Sequence, residues 1–276
     1  MSRKVDYPVS DIGAEAPFTP ARLKVLVADD NEINRYLVSH LLREKGHDVV
    51  LVVDGLEAVQ AAAAEEFDLV LMDLQMPEMD GIEATAEIRK LEKVSRQPRI
   101  FALTANVMTV GRDRCLELGF DAYVSKPIRP KQLFEAIETV LTDRREQTPF
   151  NDSSESLVCQ SDDQLDRDTL VASVNGNGVL LSKIVQLFLK HYPKVLVDLR
   201  HAIETNDAVS LARIAHSLKG GSGTLLTASA LNTIVKLEEL AKTGLTSISE
   251  PVLAHLEELL NQNAELLTEL VSSMKK

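Results

Sequence analysis

The chain has 276 residues and a formal net charge of −12. At ~150 residues per domain that length suggests two domains, and 45% hydrophobic residues suffice for ordinary globular cores. The acid excess excludes general binding to nucleic-acid phosphates or anionic lipid, both of which need clustered Lys and Arg. No apolar run reaches the ~18–20 residues of a membrane span, and the first twenty residues lack the apolar core of a secretion signal. A soluble, cytoplasmic protein is therefore expected. Cys115 and Cys159 are far apart and have no CxxC partner, which argues against a disulfide framework and a thiolate zinc site. The charge is uneven: residues 21–143 carry 22 acidic against 15 basic side chains, and residues 166–276 carry 12 against 11.

Residues 1–20 hold three prolines and little periodicity, and read as a flexible N-terminal segment. Short apolar runs then alternate with helical patterns. The pattern predicts strands at Leu23–Ala28, Val49–Val53, Leu69–Met72, Ile100–Leu103 and Ala122–Val124. It predicts helices at Ile33–Lys45, Leu56–Glu66 and Ile82–Leu91, one closing at Leu118, and one from Pro130 to about Leu141. Five strands alternating with five helices predict an α/β, doubly wound, five-stranded parallel sheet over residues 21–143. The strands lack clean alternation, which fits burial on both faces. Residues 144–165 turn polar and read as a linker. Beyond them, apolar residues recur at helical spacing in Leu180–Tyr192, Val195–Ile203, Ala208–Leu218, Leu225–Ala241 and Val252–Met274. Residues 166–276 are thus expected to form an all-α antiparallel bundle.

In open α/β sheets the active rim lies at the carboxyl ends of the strands. The first strand ends in Asp29-Asp30 and the third in Asp73; the fourth ends in Thr104 before the small Ala105, and Ser125-Lys126-Pro127 follows the fifth. Three crowded carboxylates repel one another unless a cation lies among them, and hard oxygen ligands suit Mg²⁺ or Mn²⁺. Asp30 and Asp73 would ligate directly, Asp29 directly or through water, and the Gln75 backbone carbonyl is a further candidate. If Asp73 attacks a phosphoryl group, the cation and Lys126 can neutralise the phosphoryl oxygens and the Thr104 hydroxyl can bond another.

The segments VLVADDNEINR, LVLMDLQMPEMDG, ALTAN and DAYVSKP resemble the response-regulator receiver domain. The resemblance covers residues 23–143. It implies Asp73 as phosphoacceptor, Asp29 and Asp30 as the acidic metal pair, and Thr104 and Lys126 as switch and phosphate contacts. It implies that Tyr123 is the aromatic switch residue and that Pro127 often follows a cis peptide.

Of six histidines, none has a partner at HxxxH spacing. His216 stands out by its surroundings. Leu211, Ile214 and Leu218 share one helix face and His216 lies on the opposite one, so it is expected to face solvent. Lys219 at i+3 can neutralise a phosphoryl group on the imidazole, and Gly220 at i+4 leaves room for another protein to approach. The glycines could equally just end the helix. The run AHSLKGGSGTL resembles the histidine-containing phosphotransfer (HPt) domain, over roughly residues 166–274. That implies His216 as phosphoacceptor with Lys219 and Gly220 supporting it. Leu226 departs from a frequent family glycine, which bears on the packing of the next helix. Glu238 can orient the imidazole or belong to a solvated face.

The expected function is a two-component phosphorelay protein that is not itself an enzyme. Its receiver would take a phosphoryl group from the phosphohistidine of a sensor histidine kinase, and its HPt domain would exchange one with a receiver-domain response regulator. Neither nucleic acid nor membrane is an expected partner. The chain has no GxxxxGK[ST] run and nothing resembling the ATP-binding boxes of a histidine kinase. Met1 and the non-helical lead-in favour a free-standing protein. One alternative is the C-terminal receiver–HPt part of a hybrid sensor kinase. Another is an aspartyl-phosphate phosphatase, weakened because Gln75 stands where such enzymes carry a second acid.

Overall fold

The computed structural model describes residues 22–91, 96–105, 112–141, 165, 167–244 and 250–274. The expected N-terminal segment 1–20 and residues 144–164 of the expected linker lie outside the described residues. Strands β1 (Lys24–Ala28), β2 (Asp48–Val52), β3 (Leu69–Asp73), β4 (Arg99–Thr104) and β5 (Ala122–Ser125) form one parallel sheet in the order β2-β1-β3-β4-β5. Helices α1 (Glu32–Glu44), α2 (Gly55–Ala64), α3 (Gly81–Arg89) and α4 (Arg112–Glu117) connect them, and α5 (Pro130–Leu141) follows β5.

Side chains alternate across a strand, and the core divides accordingly. Val25, Val27, Leu69, Leu71, Phe101 and Leu103 pack with Val38, Leu41 and Leu42 of α1 and Leu133 and Ile137 of α5. Leu26, Val70, Met72, Ile100 and Ala102 pack on the other face with Ala58, Ala62, Ala84, Ile88 and Cys115 of α2, α3 and α4. Both faces of the sheet are thus covered, which explains its unbroken apolar strands. The helices begin where short polar side chains can cap them: Asn31, Asp54 and Asp80 accept from the first-turn amides of α1, α2 and α3.

The C-terminal region is helical: α6 (Arg167–Ala172), α7 (Gly178–Glu204), α8 (Ala208–Ser222), a 3₁₀ turn (Gly223–Leu225), α9 (Ala228–Lys242) and α10 (Glu250–Met274). The sequence pattern left α6 out and split α7 in two around Pro193. The helix runs straight through that proline. An interior proline costs about 3 kcal/mol. The stripe Leu181, Ile184, Val185, Phe188, Leu199 and Ala202 is buried on both sides of it, at about 1.5–3 kcal/mol for each large side chain, so packing outweighs the lost bond. The helix expected from Leu225 starts three residues later. Thr227 is extended, and the Asn263 side chain holds the turn, accepting from Thr227 N at 2.7 Å and donating to Leu225 O at 2.6 Å. Leu226, at the position that departs from the family, is itself buried in this core.

The bundle packs directly on the receiver-like unit. Helix α1 contacts both α7 and α8. Ile33, Leu37 and Ile128 share an apolar seam with Val174, Leu181 and Ile184, so the buried cluster on the α1/α5 face continues into the bundle. Polar contacts flank the seam: His191 Nε2 lies 2.6 Å from Glu32 Oε2, and Asn177 Nδ2 donates to Glu44 Oε1 at 3.0 Å.

Gly81 ties the fold to the rim of the sheet. A Cβ there would lie 2.0 Å from the Asp73 carbonyl oxygen, a backbone atom that cannot swing aside. Gly81→Ala is expected to cost about 1–3 kcal/mol by overpacking, read as a lower urea midpoint at unchanged m-value.

Candidate functional site

The sheet register brings the acidic residues together. Ala28 pairs with Met72, so Asp29 and Asp73 leave adjacent strands side by side, at the point where the strand order reverses. Oxygens of Asp29, Asp30 and Asp73 all lie within 4.8 Å of one another. Lys126 Nζ reaches between them, 2.9 Å from Asp29 Oδ2 and 2.6 Å from Asp73 Oδ2, and all three of these side chains are buried. The Lys126–Pro127 peptide is cis.

The three carboxylates are not equivalent. Asp29 accepts from Asn34 Nδ2 at 3.2 and 3.0 Å and from Asn31 N at 2.9 Å, so Lys126 completes an already occupied set. Asp73 Oδ1 accepts from Gln75 N at 3.3 Å, and Gln75 itself is exposed. Asp30 is half-buried, and its Oδ1 accepts from Ser217 Oγ at 3.5 Å. Hard oxygen donors crowded at this spacing suit a divalent cation, with Asp30 and Asp73 holding the freer oxygens.

Electrostatics follow from burial and crowding. Burial first, then Asp29 and Asp30, push the Asp73 carboxyl up to about 7 against the pull of Lys126. Burial and Asp29 also raise Asp30, opposed by Lys126, His216 and Arg213. Burial works to lower Lys126, but the two carboxylates beside it more than offset this and hold it above its ordinary value. Thr104 is buried at the end of β4, Ala105 beside it is half-buried, and the half-buried Tyr123 packs against the α2/α3/α4 face.

A second charged centre lies on the bundle. His216 Nδ1 is 2.8 Å from Glu238 Oε1. Lys219 Nζ bonds Glu238 Oε2, and Lys242 Nζ bonds Oε1 at 2.5 Å. Burial alone would raise Glu238, but the bonds from His216, Lys219 and Lys242 hold it well below the usual carboxylate range. The structure corrects one expectation: the His216 side chain is only 12% exposed rather than open to solvent. Glu238 covers one side of it, and α8 faces the acidic rim. Gly220 lies over Lys126, whose Cδ would be 3.4 Å from an added Cβ. Glu238 is 2% exposed, so it is not part of a solvated face.

Sequence reasoning placed Asp29, Asp30, Asp73, Thr104 and Lys126 on one rim, and the structure brings them there. It missed Asn31, Asn34, Ser217 and Lys242. Lys242 carried a legible signal, four residues after Glu238. Asn31 stood only within the segment VLVADDNEINR, and its capping of α1 is seen in the structure. Its second bond, Nδ2 to Ser217 O at 3.1 Å, crosses 186 residues of sequence and has no local signature.

A parallel 2-1-3-4-5 sheet with this rim, followed by a helical bundle carrying a carboxylate-bound histidine, defines a chain of two phosphoryl-transfer modules. The comparisons name them: residues 25–138 match the response regulator receiver domain and residues 183–266 the Hpt domain. The chain therefore carries a receiver followed by an HPt module, the parts of a two-component phosphorelay. It is 27% identical over 258 residues to the sensor protein EvgS of Escherichia coli O157:H7, covering 93% of this chain and 20% of that protein. It is 44% identical over 130 residues to the sensor protein GacS of Pseudomonas syringae, covering 46% and 14%. The chain thus spans a fifth or less of the length of these relatives. Among solved structures, it is 37% identical to the receiver domain of a Pseudomonas aeruginosa sensor histidine kinase, crystallised with magnesium in its active-site cleft; the match covers 43% of this chain and 96% of that one, with a TM-score of 0.39. No helix among the described residues is long and apolar enough to cross a membrane.

Asp73 sets a testable pH dependence. An unfolded Asp titrates near 3.9, whereas the folded carboxyl is raised. Between about pH 4 and 7 the native state therefore binds a proton that the unfolded state has lost, and this contribution to stability disappears as pH rises through that window. Urea midpoints of the metal-free wild type are expected to fall more between pH 5 and pH 8 than those of Asp73→Asn. Parallel profiles for the two would contradict this assignment.

Proposed function

We propose that residues 21–143 and 166–276 act as two phosphoryl carriers that exchange with each other, Asp73 being the acceptor in the first and His216 in the second. The observation that carries this reading is the facing of the two centres. Helix α8 lies over the Asp29/Asp30/Asp73 rim, with Ser217 bonded to Asp30 and Asn31.

The residues have distinct roles in the exchange. Glu238 accepts from His216 Nδ1–H, which leaves the Nε2 lone pair free to attack. Nε2 forms the N–P bond while the P–O bond to the Asp73 carboxylate breaks, and no proton has to move. The ring becomes positive, and the buried Glu238 carboxylate neutralises it. Lys219 and Lys242 hold that carboxylate ionised and in place. On the receiver side, Lys126 remains beside the Asp73 oxygens as their charge changes, and Thr104, with Ala105 and Tyr123 next to it, contacts the phosphoryl group. Asp30 and Asp73, with Asp29 and the Gln75 backbone, would hold Mg²⁺ or Mn²⁺, which supplies charge neutralisation of the phosphoryl oxygens.

A sensor histidine kinase is the proposed donor and other receiver domains the further exchange partners, in line with the sensor proteins the chain resembles. That resemblance equally supports a chain that is the receiver–HPt part of a hybrid kinase. Labelled phosphate from such a kinase is expected to appear in two forms: an acyl phosphate labile to alkali, absent in Asp73→Asn, and an acid-labile, alkali-stable phosphohistidine, absent in His216→Gln. Exchange within the chain should have a rate independent of protein concentration. Labelling that survives both substitutions would overturn the reading.

A further inference from the structure

The bundle meets the receiver closely at Gly221. Gly221, in the last turn of α8, packs against the Asn31 side chain. A Cβ at position 221 would lie 2.1 Å from Asn31 Nδ2, 2.2 Å from Cγ and 2.4 Å from Oδ1. The overlap involves the whole amide and not merely a flexible tip. Nor is the amide free to turn away. Its Oδ1 caps α1 by accepting from Ile33 N at 2.9 Å and Asn34 N at 3.4 Å. Its Nδ2 donates to Ser217 O at 3.1 Å and Ser217 Oγ at 3.3 Å. Rotation would break one set or the other. Neighbouring Gly220 is different, since its added Cβ would meet Lys126 Cδ at 3.4 Å, an ordinary contact. Glycine is also a poor residue for the interior of a helix, so alanine at 221 would favour α8 itself. The helix gains nothing from Gly221; the docked receiver does.

We infer that Asn31 and Gly221 form a size-complementary pair that determines which receiver can exchange with His216. The inference rests on the proposed exchange between Asp73 and His216. Asn31 follows the acidic pair directly and bridges it to the residue beside His216, so it sets the height at which α8 sits over the rim. A missing Cβ at 221 and an amide at 31 fit each other. An HPt helix with a side chain at 221 would be held off this receiver, and would fit one with a smaller residue after its acidic pair.

The test uses the full chain, with Asp73 loaded from labelled acetyl phosphate and Mg²⁺ and the appearance of alkali-stable phosphohistidine followed by rapid quench. Transfer rates are normalised to the Asp73 loading measured in each variant, and circular dichroism melts verify folding. Gly221→Ala is expected to slow transfer at least tenfold, and Asn31→Ala about threefold through the lost Ser217 bonds. In the double variant the smaller residue at 31 makes room for the added methyl, so its transfer should be no slower than that of Asn31→Ala alone, a strongly non-additive cycle. Transfer by Gly221→Ala within twofold of wild type, or a double variant as slow as Gly221→Ala, would overturn the pairing. A wild-type chain that loads Asp73 yet never labels His216 would instead overturn the exchange on which the pairing rests.

Discussion

The buried ammonium of Lys126 between Asp29 and Asp73 is the interaction on which the rest of the site depends. Two buried carboxylates with a third beside them cannot all ionise in a protein interior without nearby positive charge. Lys126 supplies one such charge and leaves the site negative overall. In the proposed function that remaining negative charge would hold a divalent cation at the rim. The sheet provides the rigid frame: Asp29 and Asp73 end the paired strands β1 and β3, and Lys126 follows β5. Their spacing is therefore set by strand register rather than by loop conformation.

The bundle is built the other way round. A single buried carboxylate, Glu238, holds His216 Nδ1, and Lys219 of α8 and Lys242 of α9 keep it ionised. In the proposed exchange that carboxylate would stabilise a positive ring. The receiver buries negative charge around a lysine, whereas the bundle buries a carboxylate among cations. When α8 faces the rim, the two arrangements have opposite local polarity, which favours their contact. The glycines at 220 and 221 let the helix backbone come close to Lys126 and Asn31 of the rim.

Much of the receiver was legible because its signals are local. Short apolar runs alternating with helical periodicity, and polar residues at strand ends, all fall within a few residues of the feature they specify. The bundle was less legible where a distant contact overrode a local rule. Pro193 reads as a helix break, yet burial on either side of it carries α7 through. Leu225 reads as the start of α9, yet Asn263, some forty positions later, holds an extended turn there. His216 reads as solvent-facing from its helix face alone, because Glu238, which covers one side of it, comes from α9.

The sequence by itself determined the two fold classes and the carboxylate rim, and singled out His216 as the candidate histidine, since each is written in periodicity or in a compact motif. Only the tertiary structure decided how the centres are poised. It distinguished the saturated Asp29 from the more open Asp30, made Glu238 the hub of His216, Lys219 and Lys242, and brought Gly221 against Asn31. The long-range parts of these relations, Glu238 with His216 and Lys219, Lys126 with Asp29, and Gly221 with Asn31, join residues from about twenty to nearly two hundred positions apart. They arise from packing and burial, whereas Lys242, four residues after Glu238, and Asn34, five after Asp29, are local neighbours.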